Sequence, residues 1–165
     1  MIRWPFIFPV IAASIHIIEE FAFPGGFRRW YIGYRPEMEK HLTTRRLIAI
    51  NLILLAACAS CAVTGPRHGG TTTWLSVVSI VAWNTVFHIL GALRTHRCSP
   101  GMVSGIVLYL PLAFGGLYVF LLRGVATLPL FTTCFAIGTL YHLSKSLYTR
   151  LLQLSQVEIT GRKCR

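Results

Sequence analysis

Apolar residues fall in five long blocks separated by short polar or glycine-rich stretches: about Pro5–Phe23, Leu47–Thr64, Trp74–Leu93, Met102–Leu122 and Thr127–Leu143. Each approaches the ~20 residues that a helix needs to cross a bilayer. Inside hydrocarbon a segment must satisfy its own backbone hydrogen bonds, so all five are expected to be helices. Breakers mark the boundaries. Pro24-Gly25-Gly26 closes the first block, the GPRHGG stretch from Gly65 to Gly70 turns between the second and third, and Ser99-Pro100-Gly101 opens the fourth. The polar, basic and aromatic segment Phe27–Arg46 is expected to lie along the membrane interface. The pattern predicts an all-α integral membrane protein, a five-helix transmembrane bundle over residues 1–148. A basic tail, residues 149–165, begins as an amphipathic helix. The first block has no small-residue cleavage site and reads as a retained span.

Composition supports this class. Hydrophobic residues make up 54% of the 165, and charged residues only 13%, against roughly 25% in soluble domains. The net charge of +11 does not indicate a nucleic-acid partner, because the basic residues sit between apolar blocks rather than on one folded face. Contact of cationic loops with anionic lipid headgroups explains the excess. With five spans, one side of the membrane holds Arg3, Arg67 and Arg123. The other holds Arg28, Arg29, Arg35, Lys40, Arg45, Arg46, Arg94, Arg97, Lys145, Arg150, Arg162, Lys163 and Arg165. This asymmetry places the N-terminus outside and the C-terminus in the cytoplasm. The expected location is a bacterial inner (plasma) membrane, with the lipid bilayer itself as the first partner. Five cysteines do not form a secreted disulfide framework, and Cys58 and Cys61 lie in an apolar run where they are expected to pack between helices.

The acids are few: five glutamates and no aspartate. Two of the five, Glu19 and Glu20, lie in the first block, three and four residues after His16. That spacing puts them on the histidine's face of a helix, one turn along. The third block places Asn84 and His88 four residues apart, again on one face, and the fifth carries His142 near its end. Ionisable residues within spans are rare and usually face a bundle interior. If the first, third and fifth blocks run in the same direction, all six groups lie toward the cytoplasmic ends of their helices and are expected to meet at one depth. The negative end of a helix and a low dielectric both disfavour a carboxylate, so ionised glutamates there require a cation. Three imidazoles, two carboxylates and an amide oxygen suit zinc, iron or manganese. His16, Glu19, Glu20, His88 and His142 are the candidate ligands of such a divalent transition metal, with Glu19, Glu20 and Asn84 as candidate catalytic groups.

At these residues the chain resembles the HXXEE family of integral membrane proteins. The motif reads His16-Ile17-Ile18-Glu19-Glu20, and His88 matches the family's further histidine. The family's Y-x-P-G motif reads Cys98-Ser99-Pro100-Gly101 here, with cysteine in place of tyrosine. The resemblance spans about residues 12 to 145. It implies membrane location and the importance of these residues, but no reaction.

The leading expectation is a small intramembrane enzyme that uses the His/Glu cluster on a lipophilic small-molecule substrate, either through a metal or by acid–base chemistry. Two rivals stand beside it. One is a transporter of protons, metal ions or small solutes, which would have to form a homo-oligomer. The other is a membrane accessory or assembly subunit whose polar cluster only fixes helix register.

Overall fold

The computed structural model describes residues 4–23, 25–66 and 69–163, with side chains through Leu154. The described residues are helical throughout and contain no strand. The order is α1 (Trp4–Ala22), α2 (Gly26–Tyr34), a 3-10 turn (Pro36–Met38), α3 (Thr44–Thr64), α4 (Gly70–Thr95), α5 (Met102–Leu122) and α6 (Leu128–Lys163). Four of these, α1, α3, α4 and α5, are long and apolar enough to cross a membrane. The fifth apolar block forms the first half of α6. That helix is not among the four, and it runs on past Thr149 without a break to Lys163. The polar segment after α1 is not a simple loop, since it folds into α2 and the 3-10 turn. Pro24, Arg67, His68 and Cys164 lie outside the described residues.

α4 is the central helix, packed against α3, α5 and α6, while α1 packs chiefly on α3. The core between them is built from Phe6, Ala13, Cys58, Cys61, Trp74 and Val81. The surface is inverted relative to a soluble domain: Ile18, Ile53 and Phe114 are each more than 60% exposed. Such an apolar exterior fits a lipid environment. Cys58, Cys61 and Cys134 are buried free thiols, as expected of small packing side chains, and Cys98 is exposed.

Prolines shape the helices that carry the site. Pro9 has no N–H, so the carbonyl of Pro5 has no donor one turn on. The Trp74 indole N–H supplies it at 2.7 Å and ties α4 to the start of α1. Trp74 packs against Gly116, where a side chain would collide with its ring. Gly116 therefore permits close packing, whereas Gly115 faces open space. Just before Pro111, α5 widens into a π turn over Gly105–Tyr109, closed by the Leu110 N–H donating to the Gly105 carbonyl. In a regular helix, residues five apart point about 140° from each other. Here Ser104 and Tyr109 both meet the ring of His16.

Candidate metal centre

His16 and Glu20 are one turn apart on the inner face of α1, and His88 faces them from α4. They are 1%, 5% and 0% exposed, respectively. His16 Nε2 and His88 Nε2 each lie 3.5 Å from Glu20 Oε1, and one donor atom from each residue lies within 4.8 Å of the others. Ligand atoms about 2.0–2.1 Å from one tetrahedral ion stand roughly 3.3 Å apart. Two of the three separations already match that spacing.

The outward-facing atoms are held. His16 Nδ1 is 2.9 Å from Ser104 Oγ, and that hydroxyl donates to the Gly101 carbonyl. A hydroxyl that gives its hydrogen away accepts from the ring, so Nδ1 carries the proton and Nε2 presents a lone pair. His88 Nδ1 is likewise 2.8 Å from Ser99 Oγ, and Asn51 Nδ2 donates to Glu20 Oε2 at 3.0 Å. The inward-facing atoms have far less. His88 Nε2 is buried with no hydrogen-bond partner. His16 Nε2 has only the Asn84 amide, at 3.2 Å. The His16 Nε2 lone pair, the partnerless His88 Nε2 and Glu20 Oε1 thus converge on one buried point. A buried polar group without a partner costs about 1–3 kcal/mol, and a shared cation removes that cost at all three atoms. The residues present fit a metal ion. Hydrogen bonds behind the ligating atoms are the usual support of such a site.

The structure does not bring two of the candidate ligands into this group. Glu19 points the other way. Its Oε1 accepts from the backbone N–H groups of Gly101 (3.0 Å) and Val103 (3.2 Å), and its Oε2 from that of Ser104 (2.7 Å). It caps the start of α5 from a neighbouring helix, and the positive end of that helix is the cation it required. No arginine pairs with Glu19 or Glu20 among the described residues. His142 bonds the Ile80 carbonyl at 3.2 Å. Asn84 does reach the group, through His16.

Gly101 closes the site from below. Its φ is +91°, and a Cβ there would lie 2.6 Å from the His16 ring and 3.0 Å from that of His88. On another side, Phe27 and Phe87 set their rings 5.4 and 5.5 Å from His88, and Trp30 stands at 6.4 Å. The short helix α2 therefore covers the cluster. Tyr109 was not anticipated. It is wholly buried, its ring is 4.7 Å from His16, and its hydroxyl has no hydrogen-bond partner. Asn51, a lone amide in an apolar block, was a visible signal; Ser99 and Ser104 carried none.

Glu19→Ala should loosen the α5 terminus and lower stability by about 1–2 kcal/mol, as loss of an N-cap does. Glu19→Gln, which keeps one acceptor oxygen, should lose less. Thermal unfolding in detergent measures both, and an alanine variant as stable as the wild type would show that the cap is idle.

An all-helical bundle of membrane-spanning character, with a buried His-Glu-His group at its centre, is the class that fold and site define. The chain belongs to the HXXEE family, described as "Protein of unknown function with HXXEE motif", which matches residues 6–115. The match takes in His16, Glu20, Asn51, His88, Ser99, Gly101, Ser104 and Tyr109, and ends before α6, short of the span to residue 145 that the motifs suggested. No curated protein and no solved structure matches the chain.

Proposed function

We propose that this protein is a small intramembrane enzyme in which His16, Glu20 and His88 hold a divalent transition metal against a lipophilic substrate. The observation that carries the reading is the orphaned, fully buried Nε2 of His88, aimed with His16 Nε2 at one oxygen of Glu20. Three protein ligands with a further position open are the habit of catalytic rather than structural zinc. Two histidines and one carboxylate are equally the set of non-haem iron sites. A metal bound there would supply Lewis-acid polarisation or water activation, for hydrolysis or for oxidation.

The chain's own residues have separate tasks. Ser104 fixes the His16 tautomer, Ser99 holds the His88 ring, and Asn51 orients the carboxylate. Asn84, whose Nδ2 lies 3.2 Å from His16 Nε2, orients a bound group beside that ring. Glu19 acts at one remove, as a positioning residue that sets the turn under the site. The aromatic side chains of α2 exclude water.

In this reading the first half of α6 is a fifth span and the N-terminus faces outward, supported by the surplus of Lys and Arg on the loops of one side. With Cys98 and Cys164 replaced by serine, a membrane-impermeant maleimide should label Arg97→Cys only after the membrane is opened. Labelling in intact cells would reverse the assigned orientation.

The functional test is incubation of the purified protein with a membrane lipid extract, followed by mass spectrometry. A lipid whose mass changes with the wild type and not with Glu20→Gln is the expected result. If no lipid changes but proteoliposomes show Glu20-dependent flux of protons or ions, the protein is a transporter instead.

A further inference from the structure

Where α1 ends, α2 turns away from it and the start of α3 passes alongside. The three leave an open cleft of about 550 Å³, within the ~300–1,000 Å³ range of ligand sites. Phe21, Phe23, Phe27 and Leu47 line it, and Glu20 is among its lining residues. Phe21 and Phe23 are 43% and 37% exposed, against 5% for Glu20, so the lining ranges from exposed side chains to a buried one of the His-Glu-His group. Among the described residues, Arg28 and Arg29 are the cations that line it. Neither pairs with a carboxylate among the described residues. Arg28 is aimed rather than loose: its Nε donates to the Leu42 carbonyl at 2.7 Å, which fixes the guanidinium plane. A planar guanidinium held this way is suited to the oxygens of a phosphate or carboxylate.

The lining thus combines two cations without a carboxylate partner among the described residues, aromatic and aliphatic side chains, and one buried glutamate. An anion would be repelled from Glu20 and held at the arginines, while an apolar body would fill the space between. We infer that this cleft admits a lipid with an anionic headgroup, which rests at Arg28 and Arg29 and presents the part nearest the head to Glu20. The inference rests on the proposed function and names the substrate class of that site.

Detergent-purified protein would be titrated with dioctanoyl phosphatidic acid, with dioctanoyl phosphatidylcholine and with inorganic phosphate, reading Trp fluorescence and thermal stabilisation. Phosphatidic acid should bind saturably, and the other two should be at least tenfold weaker. Arg28→Gln combined with Arg29→Gln should weaken phosphatidic acid at least tenfold. Arg29→Glu, on an exposed side chain, gives a second variant should loss of the Leu42 bond disturb α2. Equal binding of phosphatidylcholine would mean an apolar crevice only. Equal binding of inorganic phosphate would mean a free-anion site. Unchanged binding in both arginine variants would mean attachment to the general surface. Each of these outcomes overturns the inference. The metal content of the arginine variants, which should equal that of the wild type, separates the two claims. Arginine-dependent lipid binding in a protein without metal would leave this inference standing and remove the metal reading.

Discussion

Replacing Gly101 by alanine will lower the thermal stability of the protein by several kcal/mol. Two penalties combine at this position. A backbone φ of +91° is a region that residues with a side chain occupy at a cost of about 1–3 kcal/mol. The new methyl group would also collide with the His16 and His88 rings, and overpacking of this kind costs a further ~1–3 kcal/mol. At ~2–4 °C per kcal/mol for a chain of this size, Tm should fall by roughly 5–20 °C. The rings must separate to accommodate the methyl, so metal retention should fall as well. Gly115→Ala is the control, since that glycine faces open space without a positive φ, and its Tm should stay within a degree or two of the wild type. A Gly101→Ala protein as stable as Gly115→Ala would show that the turn does not press on the imidazoles.

His88→Ala should release the metal. Loss of a hydrogen-bonding group behind a ligand typically costs 10–100-fold in metal affinity, so Ser99→Ala, which removes the hydroxyl beside His88 Nδ1, should fall in that range. Removal of the ligand itself should cost more than 100-fold in a chelator competition. His142→Ala should leave affinity unchanged, because that ring is committed to the Ile80 carbonyl. If His88→Ala and His142→Ala hold metal equally well, the ligand set is misassigned.

Much of this arrangement was legible in the sequence, and the reason is the cost of polarity in an apolar chain. His16, Glu20, Asn84 and His88 stood out because almost nothing else in their blocks could ionise or donate strongly, and helical spacing placed each pair on one face. The block boundaries followed from hydropathy, and helices α1 and α3 to α5 lie close to where that pattern put them. The polar stretch after α1 did not declare its helix, because α2 is only nine residues long and its single stripe is aromatic, Phe27, Trp30, Tyr31 and Tyr34, of which Phe27 and Trp30 pack on His88 and Gly91.

Glu19 and His142 were misplaced for a different reason. Spacing fixes a residue's direction about its own helix, but not which neighbouring element stands there. Glu19 is adjacent to Glu20, yet about 100° around the helix it meets the amides of α5 instead of the histidines. His142 lies on α6, which packs along α4 and places that ring at a backbone carbonyl. Tyr109 was hidden by the π turn, which shifts the facing of α5 by a residue, a change that no apolar periodicity records.

The central claim is that two imidazoles and one carboxylate share a metal ion inside the bundle. Its most direct test is elemental analysis of the detergent-purified wild-type protein beside the His16→Ala, Glu20→Gln and His88→Ala variants. The account predicts close to one transition-metal ion per wild-type chain and little in any of the three variants that remain folded. Near-zero metal in the wild type after reloading with zinc, iron or manganese, or equal metal in all four proteins, would contradict it.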